Sequence, residues 1–166
     1  NTHVFTYGAG TADDPYQVWN ADDLNGVRDY LSAHFKQMAD IDLSGYENWQ
    51  PIGTKGIYFT GIYDGNNHEI KNLNIDKSNM EDVGLFGCIY EASIKNINIR
   101  DSNINVKNIS NVGGLTGLDY YCSTFINCNF EGNIVAEGID YCGGLIGSGY
   151  ISAIKHMTTL PKDIIF

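Results

Sequence analysis

The stretch IKNLNI (Ile70–Ile75) returns further along the chain as IKNINI (Ile94–Ile99), with its lysine, both asparagines and its apolar alternation intact. A repeated unit dictates the architecture of a whole chain, so the period has to be found before any local assignment. The Ile-Lys-Asn frame has five candidate members: FKQM at Phe35, IKNL at Ile70, IKNI at Ile94, FINC at Phe125 and IKHM at Ile154. A second frame runs beside it. GLFG at Gly84, GLTG at Gly114 and GLIG at Gly144 are evenly spaced, and Gly61 in TGIYDG reads as a degenerate first member. Two frames that advance together establish a repeat.

Each unit reads as a glycine-flanked apolar pair, a variable loop and a short alternating strand such as Leu73-Asn74-Ile75. A strand that short cannot bury a face alone. Stacked as successive turns of a solenoid, equivalent strands pair in parallel, and their inward Ile, Leu, Phe and Cys side chains form a continuous column. The frame places Ile75 near Ile99 and Phe130. It also puts Asn72, Asn96 and Asn127 at one equivalent bend, where an amide bonds its counterpart in the next turn and tolerates a left-handed backbone. The expected fold class is all-β, a parallel β-helix.

The open ends of a solenoid expose strand edges and core side chains. Asn20 stands ahead of ADDLNGVRDYL, with Asp22 and Asp23 in the first turn and Leu24, Val27 and Leu31 on one face. This pattern predicts a capping α-helix over Ala21–Ser32, preceded by a strand YQVW (Tyr16–Trp19). The chain therefore reads as one domain, 1–166: a cap and first strand over 1–45, the repeating coils over 46–149, and 150–166 as an incomplete last coil or a C-terminal plug. In that last segment a strand begins at Ile154 and meets Pro161. A second chain covering this end, by self-association, is a further expectation.

At 166 residues the chain suits one domain with a substantial core. Ten Lys and Arg against twenty Asp and Glu give a formal charge of −10, which repels nucleic-acid phosphates and anionic membrane surfaces. No apolar run approaches the roughly 20 residues that cross a bilayer, so membrane insertion is not expected. The opening NTHVFTYGAG has neither a basic nor an apolar leader region, so any secretion signal is expected to have been removed already. The four cysteines, Cys88, Cys122, Cys128 and Cys142, contain no C-x-x-C pair; they are free core thiols, or Cys122 and Cys142 form a disulfide.

Candidate chemistry is sparse. Lyases and hydrolases on β-helices need converging carboxylates and a strong base, yet the only arginines are Arg28, on the cap, and Arg100, whose neighbour Asp101 points to the opposite face of a continuing strand. The segment DGNNHE (Asp64–Glu69) reads as a turn; its oxygens are also the one place where calcium is conceivable, although the ligand alternation of a calcium loop is missing. No other cofactor is expected. The eleven tyrosines are more informative. Asp119, Tyr120 and Tyr121 stand about one coil from Asp140 and Tyr141, and Tyr150 follows the last glycine frame. Such rings either pack the loop layer or form a face for a host or cell-surface glycan or protein. The Thr-x-Thr arrays of a flat ice-binding face are missing.

The segments VGLFG (Val83–Gly87), VGGLTG (Val112–Gly117) and CGGLIG (Cys142–Gly147) resemble the GLUG repeat of bacterial secreted and surface-anchored proteins. GAGTADDPYQVWNADDL, ADIDLSG (Ala39–Gly45), NWQPIG (Asn48–Gly53) and FTGIYDGNNHEIKNLNI (Phe59–Ile75) look like that family's usual opening, so the resemblance runs from about Gly8 to Gly147. It implies a right-handed parallel β-helix of the kind found in adhesin-like proteins and in accessory regions of immunoglobulin A peptidases. Catalysis in those peptidases belongs to a separate zinc domain with H-E-x-x-H. Here His68-Glu69-Ile70-Lys71-Asn72 has asparagine where the second histidine must stand, so peptidase activity is not expected. The resulting expectation is a non-catalytic module of a secreted or cell-surface protein, serving adhesion, binding or spacing. A carbohydrate-active enzyme and a self-assembling subunit are the alternatives.

Overall fold

Successive side chains of a β-strand point to opposite faces, so a strand that bends around a core must reset its alternation at each bend. The two hexapeptides show how this chain does it. Ile70, Leu73 and Ile75 are buried, as are Ile94, Ile97 and Ile99, so inward residues stand three apart and then two apart. The extra residue is the asparagine between them: Asn72 and Asn96 adopt φ of 60° and 55°, the left-handed region that asparagine tolerates better than most residues. IKNLNI and IKNINI are each a corner of the coil, with an inward residue before the bend and two after it.

They are different corners. In the computed structural model, which describes residues 1–150, 153–155 and 157–165, Ile70 pairs with Ile99 and Ile75 with Ile104, while Ile94 pairs with Tyr63. The expectation that Ile75 stacks near Ile99 and Phe130 is therefore corrected: Ile41, Ile70, Ile99 and Phe130 form one column, and Ile75, Ile104 and Ile134 the next. The asparagines divide likewise. Asn67, Asn96 and Asn127 share one corner (φ 62°, 55°, 52°), and Asn127 Nδ2 donates to the side-chain oxygens of Asn96 and Asn67, each at 3.1 Å. Asn72 instead shares a corner with Asp101. Asn79, Asn108 and Gly138 make a third left-handed column, and Glu91 and Cys122 a fourth.

The elements follow from these corners. The chain enters through β1 (Tyr16–Val18), α1 (Ala21–Gly26) and a 3-10 turn at Val27–Asp29. Short rungs follow: β2 (His34–Gln37), β3 (Ile41–Asp42), β4 (Ile62–Asp64), β5 (Glu69–Lys71) and β6 (Asn74–Ser78). The best-formed coil comprises β7 (Asp82–Val83), β8 (Phe86–Tyr90) and the long, twice-cornered β9 (Ser93–Lys107). The next repeats it as β10 (Asn111–Gly113), β11 (Thr116–Tyr121) and β12 (Thr124–Glu137). Then come β13 (Tyr141–Gly143), β14 (Ile146–Gly149), β15 (Ala153–Lys155) and β16 (Thr158–Ile165). All named strand pairs are parallel, and they form one large sheet plus two narrow ones, β7-β10-β13 and β8-β11-β14. The result is a parallel β-solenoid of about four turns, as the sequence predicts.

Glycines of the GLxG frame sit where the two narrow sheets turn back on each other. A side chain on Gly117 would place its Cβ 2.6 Å from the Val83 nitrogen, and one on Gly147 would come 2.7 Å from the Val112 nitrogen. No residue but glycine fits that approach. The first member of the column is Gly53 in NWQPIG, not Gly61: Ile52 bridges Phe86, and Cys88 N–H donates to the Gly53 oxygen at 3.1 Å. Gly61 stands one corner further on, its oxygen accepting from Ser93 N–H.

The cap is shorter than the sequence predicts. Asn20 Oδ1 accepts from Asp23 N–H at 2.9 Å, and Asp23 Oδ2 accepts from Trp19 N–H, a reciprocal cap. The α-helix then tightens at Gly26, where the His3 ring occupies the space of a side chain. Arg28 ties this turn to the first coil. Its guanidinium lies 5.4 Å from the Trp49 ring centroid and donates to the Gln50 oxygen at 2.7 Å. At the other end β15 and β16 both add in parallel to β12, so the described tail continues the sheet instead of folding back as a plug. Pro161 falls at the shift of register between Gly132 and Asn133 on this outer strand, a place where a residue without an N–H is tolerated.

All four cysteines are free. Cys142 faces Val112 in one narrow sheet and Cys122 occupies a corner after the other, so the candidate disulfide is not formed. Burial pushes the Cys88 and Cys128 thiols up to about 12, which leaves them as inert core groups. The glycine column supplies a stability test. Gly117→Ala is expected to cost about 1–3 kcal/mol through backbone overlap, lowering the melting temperature by several degrees, whereas Gly45→Ala, with nothing within 4 Å, should leave the calorimetric transition unmoved.

Candidate functional site

Two surface features stand out, a tyrosine cluster and a charged groove. The first is built by a bulge. Asp119 pairs with Ile89, yet Tyr121 pairs with Tyr90, so Tyr120 is an extra residue pushed outward just before the Cys122 corner. Its ring stacks on Tyr58 at 5.3 Å between centroids with 22° between planes, and Tyr121 stacks on Tyr90 at 5.8 Å and 27°. Tyr90 completes the cluster, 5.6 Å from Tyr58 and 6.2 Å from Tyr120. Centroids this far apart with nearly parallel planes describe overlapping tiles. Part of each face stays open, and Tyr120 and Tyr121 are 42% and 41% exposed.

The sequence-predicted set divides. Tyr120 and Tyr121 belong to this cluster. Tyr150 continues it in register: its N–H donates to the Asp119 oxygen, its own oxygen accepts from Cys122 N–H, and its side chain is exposed. Tyr141 lies apart, on β13 opposite Asn111, with Asp140 in the loop before it, so the inferred one-coil relation to Tyr120 does not hold. Asp119 is fully buried and accepts from Ser123 N–H at 3.2 Å, which makes it a corner-fixing group without access to a surface ligand. Tyr58 and Tyr90 were not singled out from sequence. The signal was available, since Tyr58, Tyr90, Tyr121 and Tyr150 recur at intervals of one coil.

The groove, about 350 Å³, lies on the broad sheet between two corners, where Glu69, Asn98 and Asn129 form one outward column. Arg100 Nη1 meets Glu69 Oε1 at 2.7 Å, Lys71 Nζ meets Glu69 Oε2 at 3.0 Å, and Arg100 Nε lies 3.7 Å from Glu131 Oε2. A glycoside-cleaving acid must hold its proton near neutrality, which requires a raised pKa. Glu69 moves the other way: the Arg100 and Lys71 cations hold its carboxyl below the usual glutamate range. The same pairing raises Arg100, which keeps its guanidinium protonated and so unable to accept a proton. Asp101 does not continue the strand opposite Arg100, because it is itself the corner. The groove is suited to holding itself together.

The DGNNHE segment is likewise occupied by its own turn. Asp64 Oδ1 accepts from Asn66 N–H at 2.8 Å and from Asn96 Nδ2 at 3.0 Å. Among the described residues no group of three or more His, Cys, Asp and Glu is arranged to hold a metal, and no helix is long and apolar enough to cross a membrane.

No protein-family profile matches the chain. It is 35% identical over 129 residues to a protein of Evansella cellulosilytica described as a Gly-rich membrane protein, covering 72% of this chain and 15% of that protein. It is 33% identical over 153 residues to Halomucin of Haloquadratum walsbyi, covering 84% of this chain and 2% of that one. The chain thus spans only a small part of the length of the relatives it matches. A solved Bacteroides ovatus structure, described as an immunoglobulin A1 protease, superposes over 95% of this chain and 60% of its own with a TM-score of 0.62 at 21% identity. That likeness concerns the fold alone.

Asp82 provides a pH test of the narrow-sheet packing. Its Oδ1 accepts from Asn111 Nδ2 at 2.8 Å, while Oδ2 is buried with no hydrogen-bond partner among the described residues. Burial raises its pKa, so ionisation favours the unfolded state, and stability falls as pH rises from the ordinary value through the shifted one. Asp82→Asn keeps the bond to Asn111. It is expected to raise the urea midpoint at pH 7 and to lose that advantage below about pH 3.8, the ordinary value, in parallel denaturation series.

Proposed function

We propose that this chain is a rigid, non-catalytic coil module of a secreted or cell-surface protein, and that its binding face is the tyrosine cluster. The observation that carries the reading is the alignment of Tyr58, Tyr90, Tyr120 and Tyr121 on successive coils with their ring planes nearly parallel and partly open. Rings fixed by a solenoid lose little conformational entropy on binding, which is the physical advantage of an aromatic face on such a scaffold. The charged groove supports the non-catalytic half of the reading, since its carboxylate is already neutralised by two cations. The names of the similar proteins, a Gly-rich membrane protein and Halomucin, support a surface setting.

The test is binding of the purified chain to immobilised glycans and cell-surface extracts. Tyr120→Ala with Tyr121→Ala is expected to weaken capture about tenfold or more, the loss of two ring contacts of roughly 0.5–1.5 kcal/mol each. Tyr7→Ala, also exposed but outside the cluster, should leave it unchanged. Appearance of new reducing ends or unsaturated products from a captured glycan would instead establish an enzyme.

A further inference from the structure

Tyr58, Tyr90, Tyr120 and Tyr121 form a flat patch instead of a socket. The planes of touching rings differ by 22° to 31° and their centroids lie 5.3 to 6.2 Å apart, so the rings overlap as one broad, partly open π surface. The face of an aromatic ring carries negative charge density and attracts cations. Shape then decides which cation. A tetrahedral ammonium is held best where rings surround it, whereas a planar guanidinium stacks on an open ring face and is the more weakly hydrated of the two.

An acid stands at the rim of this patch. Glu91 follows Tyr90 at the corner and is exposed, and its N–H donates to the Tyr121 oxygen at 2.8 Å, which holds its backbone between two members of the cluster. Its carboxylate forms no ion pair among the described residues. The neighbouring cations are engaged elsewhere: Lys55, the nearest in sequence to Tyr58, turns to Glu81 at 3.8 Å, and Lys95, the nearest to Glu91, reaches Asp64 at 3.8 Å. A π face with an unpaired carboxylate at its edge, on a chain carrying −10, is complementary to positive charge. The chain uses the same pairing inside its own fold, where the Arg28 guanidinium lies 5.4 Å from the Trp49 centroid while its edge donates to the Gln50 oxygen at 2.7 Å.

Resting on the binding-face reading above, we infer that the tyrosine cluster docks an arginine-bearing segment of a partner protein, a guanidinium stacking on the Tyr90 and Tyr121 rings with its edge donating to the Glu91 carboxylate. The two parts of the site select different properties: the rings select planarity and the acid selects charge. A neutral sugar would use the rings alone and gain nothing from Glu91.

The experiment is fluorescence anisotropy of the whole chain with labelled Gly-Ser peptides carrying three arginines, against the same peptides with three lysines or three citrullines, the uncharged isostere of arginine. At low salt the arginine peptide is expected to bind about fivefold tighter than the lysine peptide and about tenfold or more tighter than the citrulline peptide, the second gap narrowing in 1 M salt. Glu91→Gln should weaken the arginine peptide about three- to tenfold and leave the citrulline peptide unchanged, whereas Glu47→Gln, which removes an exposed acid outside the cluster, should change neither. Tyr121→Ala should abolish the preference for arginine over lysine, with circular dichroism showing the variant folded. Equal binding of the arginine and lysine peptides, equal effects of Glu91→Gln and Glu47→Gln, or no binding of the arginine peptide would overturn the inference. If glycans were then captured and lost in Tyr120→Ala with Tyr121→Ala, the cluster would remain a binding face for a neutral ligand; if those substitutions changed the capture of nothing, the binding-face reading would fall as well.

Discussion

A left-handed backbone at four corners of the coil is the constraint on which this solenoid depends. A coil that closes on itself must bend several times while keeping its apolar residues inward, and strict alternation would turn half of them outward after every odd bend. Asn72, Asn79 and Glu91 each insert a single residue at positive φ, the Asn66-Asn67 turn uses two, and the next coil repeats the device with one residue each at Asn96, Asp101, Asn108 and Cys122. Asparagine dominates because it accepts the conformation at low cost and because its amide reaches the next coil: Asn127 Nδ2 donates to Asn96 Oδ1 at 3.1 Å and Asn108 Nδ2 to Asn79 Oδ1 at 3.2 Å. Where such bonds line up, backbone strain and lateral cohesion are handled by the same side chain.

The period was legible in the sequence and the register was not, for one physical reason. IKNLNI and IKNINI resemble each other because they perform the same local bend, and two bends within a coil resemble each other as closely as one bend in successive coils. The step from Ile70 to Ile94 is thus shorter than the full coil that carries Ile70 to Ile99. The glycine frame was a better ruler. The second glycines of the frame, Gly87, Gly117 and Gly147, mark a close backbone approach that occurs once per coil, so their even spacing reports the true repeat. A residue type demanded by a contact between elements carries more register information than one demanded by local conformation.

Candidate sites show the same division. Tyr120 and Tyr121 stand out as an adjacent aromatic pair, while Tyr58 and Tyr90 are marked in the sequence only by their recurrence at about one coil, and the fold brings them into the same cluster. Asp119 and Tyr141 were grouped with them by sequence proximity and motif likeness, and the fold separates both, one into the interior and the other onto a different sheet. The helical cap was readable to within a turn because its signals are local: Asn20 at the N-cap, acids in the first turn, an apolar stripe. Its early end at Gly26 depends on His3, a contact from the far side of β1 that no local pattern encodes.

Register is therefore where the account is most exposed, and a pair of cysteines measures it. Asn74 and Asn103 face outward on neighbouring rungs, whereas the hexapeptide spacing would set Asn74 against Asn98. In a Cys122→Ser background, Asn74→Cys with Asn103→Cys should oxidise rapidly to an intramolecular disulfide, detected by mass under non-reducing conditions, because in-register parallel neighbours lie within the span of that bond. Asn74→Cys with Asn98→Cys should stay reduced. Rapid closure of the second pair and not the first would contradict the corner-based register and, with it, the tyrosine cluster that depends on it.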